Sequence, residues 1–180
     1  MGYKRLYIFV EGDADETFFN KIIKPLLVNS YQSIQIIKYA SMSIEKIERW
    51  IKSVDGMSAD YLFIADLNNK PCITAKKGKI LNQIKNIDRN KIVIIITEIE
   101  GLYMAGADDD LLYKLFENKN YNTENLDKKY FNKIALQLKK SPLELMLTLT
   151  ENYDIDKARL RNRSFDYLMN KVENLLNLNR

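Results

Sequence analysis

The chain is predicted to fold as an α/β protein, a mainly parallel sheet flanked by helices, with a helical C-terminal extension. Two observations predict this. Four runs rich in β-branched and aromatic residues, YKRLYIFV (3–10), SIQIIKYA (33–40), DYLFIADLNN (60–69) and KIVIIITEIEG (91–101), alternate with segments whose apolar residues recur at helical spacing. That alternation suits crossover connections between parallel strands. Beyond residue 107 the β-rich runs stop and only helical spacing continues, in LLYKLFEN, YFNKIALQLKK, PLELMLTLTENY and SFDYLMNKVENLLNL. The expected organisation is therefore an α/β domain over 1–107 and a helical cap over 108–180.

The first run reads as a buried strand that delivers Glu11 at a sharp Glu-Gly. Phe18, Phe19, Ile22, Ile23, Leu26 and Leu27 follow at helical spacing, with acids gathered in the first turn, where the helix dipole favours them. Pro25 is expected to bend or shorten that helix. After the second strand, Ile44, Ile47, Trp50 and Ile51 form the stripe of an amphipathic helix. The third strand runs into Asp66, and KKGKILNQIKNI is expected to be helical at least from Lys79. The fourth run, the strongest buried strand, leads into Glu98 and Glu100; strand alternation would set these two on one face.

Composition narrows the chemistry. Hydrophobic residues make up 46% and charged residues 29% of the 180, the balance of a globular protein. Histidine is absent, which removes Ser-His and Cys-His nucleophilic pairs and His-ligated zinc. Cys72 is the single cysteine, so no internal disulfide is possible and a reducing compartment is the natural setting. With no spanning run or signal-like segment in view, a cytoplasmic location is expected. The net charge of +4 hides segregation: residues 70–91 carry seven Lys or Arg against Asp88 alone, and residues 108–127 carry six acids against two bases.

Three strand ends carry acids: Glu11 with Asp13, Asp15 and Glu16; Asp66; and Glu98 with Glu100. Acids assembled without histidine or thiolate favour hard divalent cations, which prefer oxygen ligands. Each group also has a plainer reading. Asp13, Asp15 and Glu16 can be the solvated first turn of a helix, Asp66 a turn former, and Glu98 and Glu100 loop charges. Three strand ends with one signature favour the cation.

These segments carry a family resemblance. VEGDADETFF resembles the first motif of the TOPRIM fold, with Glu11 and Asp15 on its acidic positions. LFIADLNN is similar to the second, Asp-x-Asp, with Asp66 on the first acid. IIITEIEGLYMAG is similar to the Glu-x-Glu stretch of TOPRIM nucleases of the OLD type and of small stand-alone relatives. The resemblance spans residues 5 to about 106, and RNRSFDYLM resembles the tail of the small members. It implies a Mg2+ (or Mn2+) site for phosphodiester or phosphoryl chemistry on DNA or RNA, with Glu11 as general base and Asp66 as principal metal ligand. Asp15, Glu98 and Glu100 would complete one or two cation positions. Asn68 stands where the family has a second acid; it can ligate through its carbonyl but brings no charge. Tyr103 reads as aromatic core rather than as a topoisomerase nucleophile.

Lys70, Lys76, Lys77 and Lys79 follow Asp66 and are candidates for phosphate contact, as is Arg161 in KARLRNR; a solvated basic face is the alternative. Three functions follow. One is a Mg2+-dependent nuclease, and another is a non-catalytic module binding nucleic acid, a protein partner or a second copy within a defence or toxin system. The third, nucleotidyl transfer, lacks a P-loop.

Overall fold

The computed structural model describes residues 4–68, 70–116 and 123–177. The chain divides into two compact units, one running to Ile94 and taking in the end of the chain from Leu175, the other Ile95–Asn174.

The first unit is built on four strands, β1 (Arg5–Val10), β2 (Ser33–Lys38), β3 (Asp60–Asp66) and β4 (Ile92–Ile95), in a parallel sheet of order β2-β1-β3-β4. β1 lies between two partners, pairing Ile8 with Ile36 on one side and with Leu62 on the other. Its run Leu6–Val10 is buried on both faces, as the unbroken apolar sequence requires. The connecting helices are α1 (Asp13–Phe18), α2 (Lys24–Leu27), α3 (Ile44–Gly56) and α4 (Ile73–Gln83). Right-handed crossovers place α1 over one face and both α3 and α4 over the other. Packing agrees for the second face: Tyr7, Phe9, Phe63 and Ile94 share a core with Ile47, Ile51 and Val54 of α3 and Ile80 of α4.

Local chemistry sets the helix boundaries. Pro25 lacks a donor and would crowd the carbonyl four residues back, so the chain widens into a π turn over Phe19–Ile23 before α2 begins. Ser43 caps α3 by accepting from the Lys46 amide at 3.3 Å. Cys72 Sγ does the same for α4 from the Ala75 amide at 3.4 Å, so that helix starts six residues before Lys79 and carries Gly78 in its interior.

The second unit is helical: α5 (Glu100–Ala105), α6 (Asp109–Phe116), α7 (Lys128–Gln137), α8 (Pro142–Glu151), α9 (Ile155–Arg161) and α10 (Arg163–Asn177). Leu102, Tyr103, Phe131, Leu145, Phe165 and Leu168 are fully buried in it. Tyr103 is thus a core aromatic, tilted against Phe131 at 6.3 Å. Gly101 is required by packing, since a Cβ there would stand 2.5 Å from the Thr123 carbonyl oxygen. Among the described residues no helix is long and apolar enough to cross a membrane.

One local expectation is corrected. The fourth strand stops at Ile95 rather than running toward Gly101. The Ile96 amide leaves the ladder to donate to Ser164 Oγ at 2.9 Å, and Thr97 takes a left-handed φ of 65°, held by its hydroxyl donating to the Glu124 carbonyl at 2.6 Å. Glu98 therefore lies in a loop and Glu100 opens α5, so strand alternation does not relate them.

Candidate functional site

In the order β2-β1-β3-β4, β1 connects toward one edge and β3 toward the other, which creates a crevice at the carboxyl ends of these two neighbours. Glu11 follows β1 directly, and Asp66 is the last residue of β3. Both are half-buried, and Oδ1 of Asp66 is sealed from solvent. Asp15, in the first turn of α1, is 6% exposed and accepts a hydrogen bond from the Gly12 amide at 3.0 Å. Burial, and secondarily the charge of Glu11, push the Asp15 carboxyl up to about 6 against the lowering effect of that amide.

Tyr39 lies one residue beyond β2 and is half-buried. Its hydroxyl donates to the Ile64 carbonyl at 2.9 Å. Burial holds its ionisation far above the usual tyrosine range, and Glu11, Asp15 and Asp66 all add to that shift through their charge. The other acids of the N-terminal cluster are drawn elsewhere: Lys38 bridges Asp13 at 2.7 Å and Glu16 at 2.8 Å. Lys38 accordingly lowers the Asp13 pKa.

The basic candidates separate as well. Lys76 is half-buried, and its pKa is lowered by burial while Glu11 and Asp66 pull it upward. Lys79 is exposed and Lys70 half-buried. Lys77 is 8% exposed, because it lies on the α4 stripe that also buries Ile80 and Ile84. Asn68 is exposed at φ 51°, with its amide nitrogen 3.4 Å from the Asp66 carbonyl. Asparagine tolerates that left-handed turn better than most residues, which gives it a backbone reason to stand there.

In the second unit, Glu98 accepts from the Lys128 amide at the start of α7, and Glu100 is 3% exposed. Arg161 donates to the Ala105 and Ala107 carbonyls at 3.1 and 2.7 Å and to Asp109. These bonds fasten α9 to the end of α5.

Among the described residues no three carboxylate or thiolate side chains form a ready-made cation cage. The donors of Glu11, Asp15 and Asp66 are nevertheless all oxygen, the type a hard cation prefers, and the buried Asp15 is costly to ionise without a counter-charge. Sequence reasoning passed over Tyr39 and Lys38. The available signal was their position at the end of a β-rich run, and the missing information was that β2 pairs with β1.

The parallel sheet, its flanking helices and the helical second unit define an α/β TOPRIM-like fold. Among solved structures the chain is similar to the C-terminal region of the Burkholderia pseudomallei OLD protein, at 14% identity and a TM-score of 0.52, covering 96% of this chain and 99% of that one. The C-terminal region of the Xanthomonas campestris pv. campestris OLD protein, phased with iodine, is 13% identical with a TM-score of 0.49, covering 96% and 98%. At 14% identity the likeness to the first of these is one of fold. No protein-family model and no curated protein matches the sequence.

Proposed function

We propose that the protein is a Mg2+- or Mn2+-dependent nuclease, cleaving phosphodiesters of DNA or RNA at the carboxyl edge of its sheet. The observation that carries this reading is that Glu11 and Asp66 stand at the carboxyl ends of the neighbouring strands β1 and β3, with Asp15 buried in the first turn of α1. Glu11, Asp15 and Asp66 would hold the cation, with the Asn68 carbonyl as a neutral ligand. A cation so held would lower the pKa of a bound water and neutralise phosphate charge.

The side chains divide the remaining work. Glu11, fixed at the end of a rigid strand, accepts a proton at its carboxylate from the attacking water. Asp66 and Asp15 keep a negative, partly dry surface there. Tyr39 holds the β2 and β3 ends together through its bond to Ile64. Lys70, Lys76 and Lys79 supply the attraction for the strand's phosphates that the acids would otherwise repel.

The test is cleavage of labelled DNA and RNA oligonucleotides with and without Mg2+ or Mn2+. Glu11→Gln and Asp66→Asn should each lower the rate by about a hundredfold or more. Cleavage that persists in both variants would sink the reading. Asn68 favours a second one, a binding module without turnover, because it removes a charge from the edge. Nucleic-acid binding with no cleavage at saturating Mn2+ would establish that alternative.

A further inference from the structure

A pocket of about 200 Å³ opens beside Glu11 at the same edge of the sheet. Its apolar wall consists of Phe63, Ile44 and Ile47 at the start of α3, and Ile80 and Ile84 from the α4 side. Tyr39 completes that wall, its ring stacked on Phe63 at 4.6 Å and 20° and its hydroxyl anchored on the Ile64 carbonyl. The aromatic surface is therefore preformed and cannot swing to fill the space. Its lining also includes two residues with side-chain amides, Asn68 and Gln83, and two lysines, Lys76 and Lys79.

The size and the chemistry select a ligand. The volume lies below the roughly 300 Å³ at which pockets for drug-sized molecules begin, so it admits one ring system and no extended chain. An acyl group would leave the amides unused, and a bare anion would gain nothing from the apolar wall while facing Glu11. A nucleobase offers a flat apolar face, edge groups that pair with amides, and a phosphate a few bonds away for the lysines.

We propose that this pocket receives one unstacked nucleobase of a nucleic-acid strand, with an adjoining phosphate on Lys76 and Lys79. A paired base cannot enter without leaving its duplex, so the substrate at this site is single-stranded or a frayed end. The substrate assignment rests on the nuclease reading, whereas the pocket's occupancy needs no turnover.

The experiment has two arms. In EDTA, binding of adenosine and uridine 5′-monophosphates is compared with that of ribose 5-phosphate, by calorimetry or by NMR shifts. The nucleotides should bind at least about tenfold more tightly than the sugar phosphate, the usual scale for base stacking. Ile44, at 42% exposure, can be enlarged with little risk to folding. Ile44→Trp should abolish that tenfold advantage, and Gln83→Ala should reduce it as a second, independent variant. Equal binding of nucleotide and sugar phosphate, or an unchanged advantage in both variants, would overturn the proposal.

In the second arm, cleavage of one oligonucleotide is measured in single-stranded and duplex form with Mg2+. Wild type should favour the single strand, and Ile44→Trp should lose that preference. Equal cleavage of both forms, unchanged in Ile44→Trp, overturns the pocket and leaves the nuclease standing. Nucleotide binding without any cleavage supports the pocket and overturns the nuclease.

Discussion

The buried Asp15 of the first unit and the buried Glu124 of the second have opposite fates. At the sheet edge, burial raises the Asp15 carboxyl to about 6, and Glu11 adds to the cost of ionising it. In the second unit, Glu124 is as buried as Asp15, yet its pKa is lowered, chiefly by Arg163. That guanidinium donates to both Glu124 oxygens, at 3.0, 3.1 and 2.8 Å, and the Arg163 amide donates at 2.7 Å. A carboxylate supplied with donors by its own fold has a structural job. One held at a charge cost with acidic neighbours is a candidate for binding something positive.

The largest loss of stability is expected at the polar joint of the second unit. Asn162, 1% exposed, donates to Thr123 Oγ1 at 3.2 Å and accepts from the Phe165 amide at 3.0 Å, capping α10. Asn162→Ala removes that cap and strands buried partners, for an expected loss of about 3 kcal/mol. A fall in the urea midpoint with an unchanged slope would record it; a loss under about 0.5 kcal/mol would mean that water replaces the amide.

Asp15 supplies the opposite sign. Its folded pKa of about 6 lies above the ordinary carboxyl value of 3.8, so the native state holds the proton more tightly. The resulting stability is present below 3.8 and is lost as pH rises through about 6. Asp15→Asn should therefore stabilise the protein at pH 7 by up to about 3 kcal/mol and flatten its stability between pH 4 and roughly 7. Mg2+ should raise the melting temperature of wild type at pH 7 and do less for this variant. Thermal melts across pH, with and without Mg2+, check both statements.

Glu124→Gln should cost less, about 1–2 kcal/mol, because the amide keeps one acceptor while Arg163 is mostly exposed and screened. Urea melts at low and high salt separate the charge from the hydrogen bond.

The sheet was legible because β1, β3 and β4 carry uninterrupted apolar runs, and the acids at Glu11 and Asp66 were legible because two of those runs end on them. The end of β4 was not: Ile96 and Thr97 are good strand residues, and only Ser164 and Glu124, distant in sequence, draw them out of the ladder. The same holds for Arg161, whose bonds to the Ala105 and Ala107 carbonyls cross more than fifty positions. Lys77 was readable in principle, since it shares a helical stripe with Ile80 and Ile84, but lysine in a basic run looks solvated until its helix is placed. Tyr39 gained its meaning from strand order, which apolar periodicity does not encode.

The smallest effect is expected at Lys38, and it bears on why four acids can crowd the N-terminal turn. Lys38 holds Asp13 and Glu16 at its exposed surface, so those two charges are already answered by water and screening ions. Lys38→Ala should leave the melting temperature within replicate scatter at moderate salt, and added salt should not change that result. Its loss should also leave Asp15 titrating as before, because burial rather than surface charge sets that value. A clear drop in stability that salt restores would show the opposite: the lysine, not water, would then be keeping the solvated pair of acids apart in effect from Glu11 and Asp15, and the sheet-edge acids would belong to one four-charge cluster.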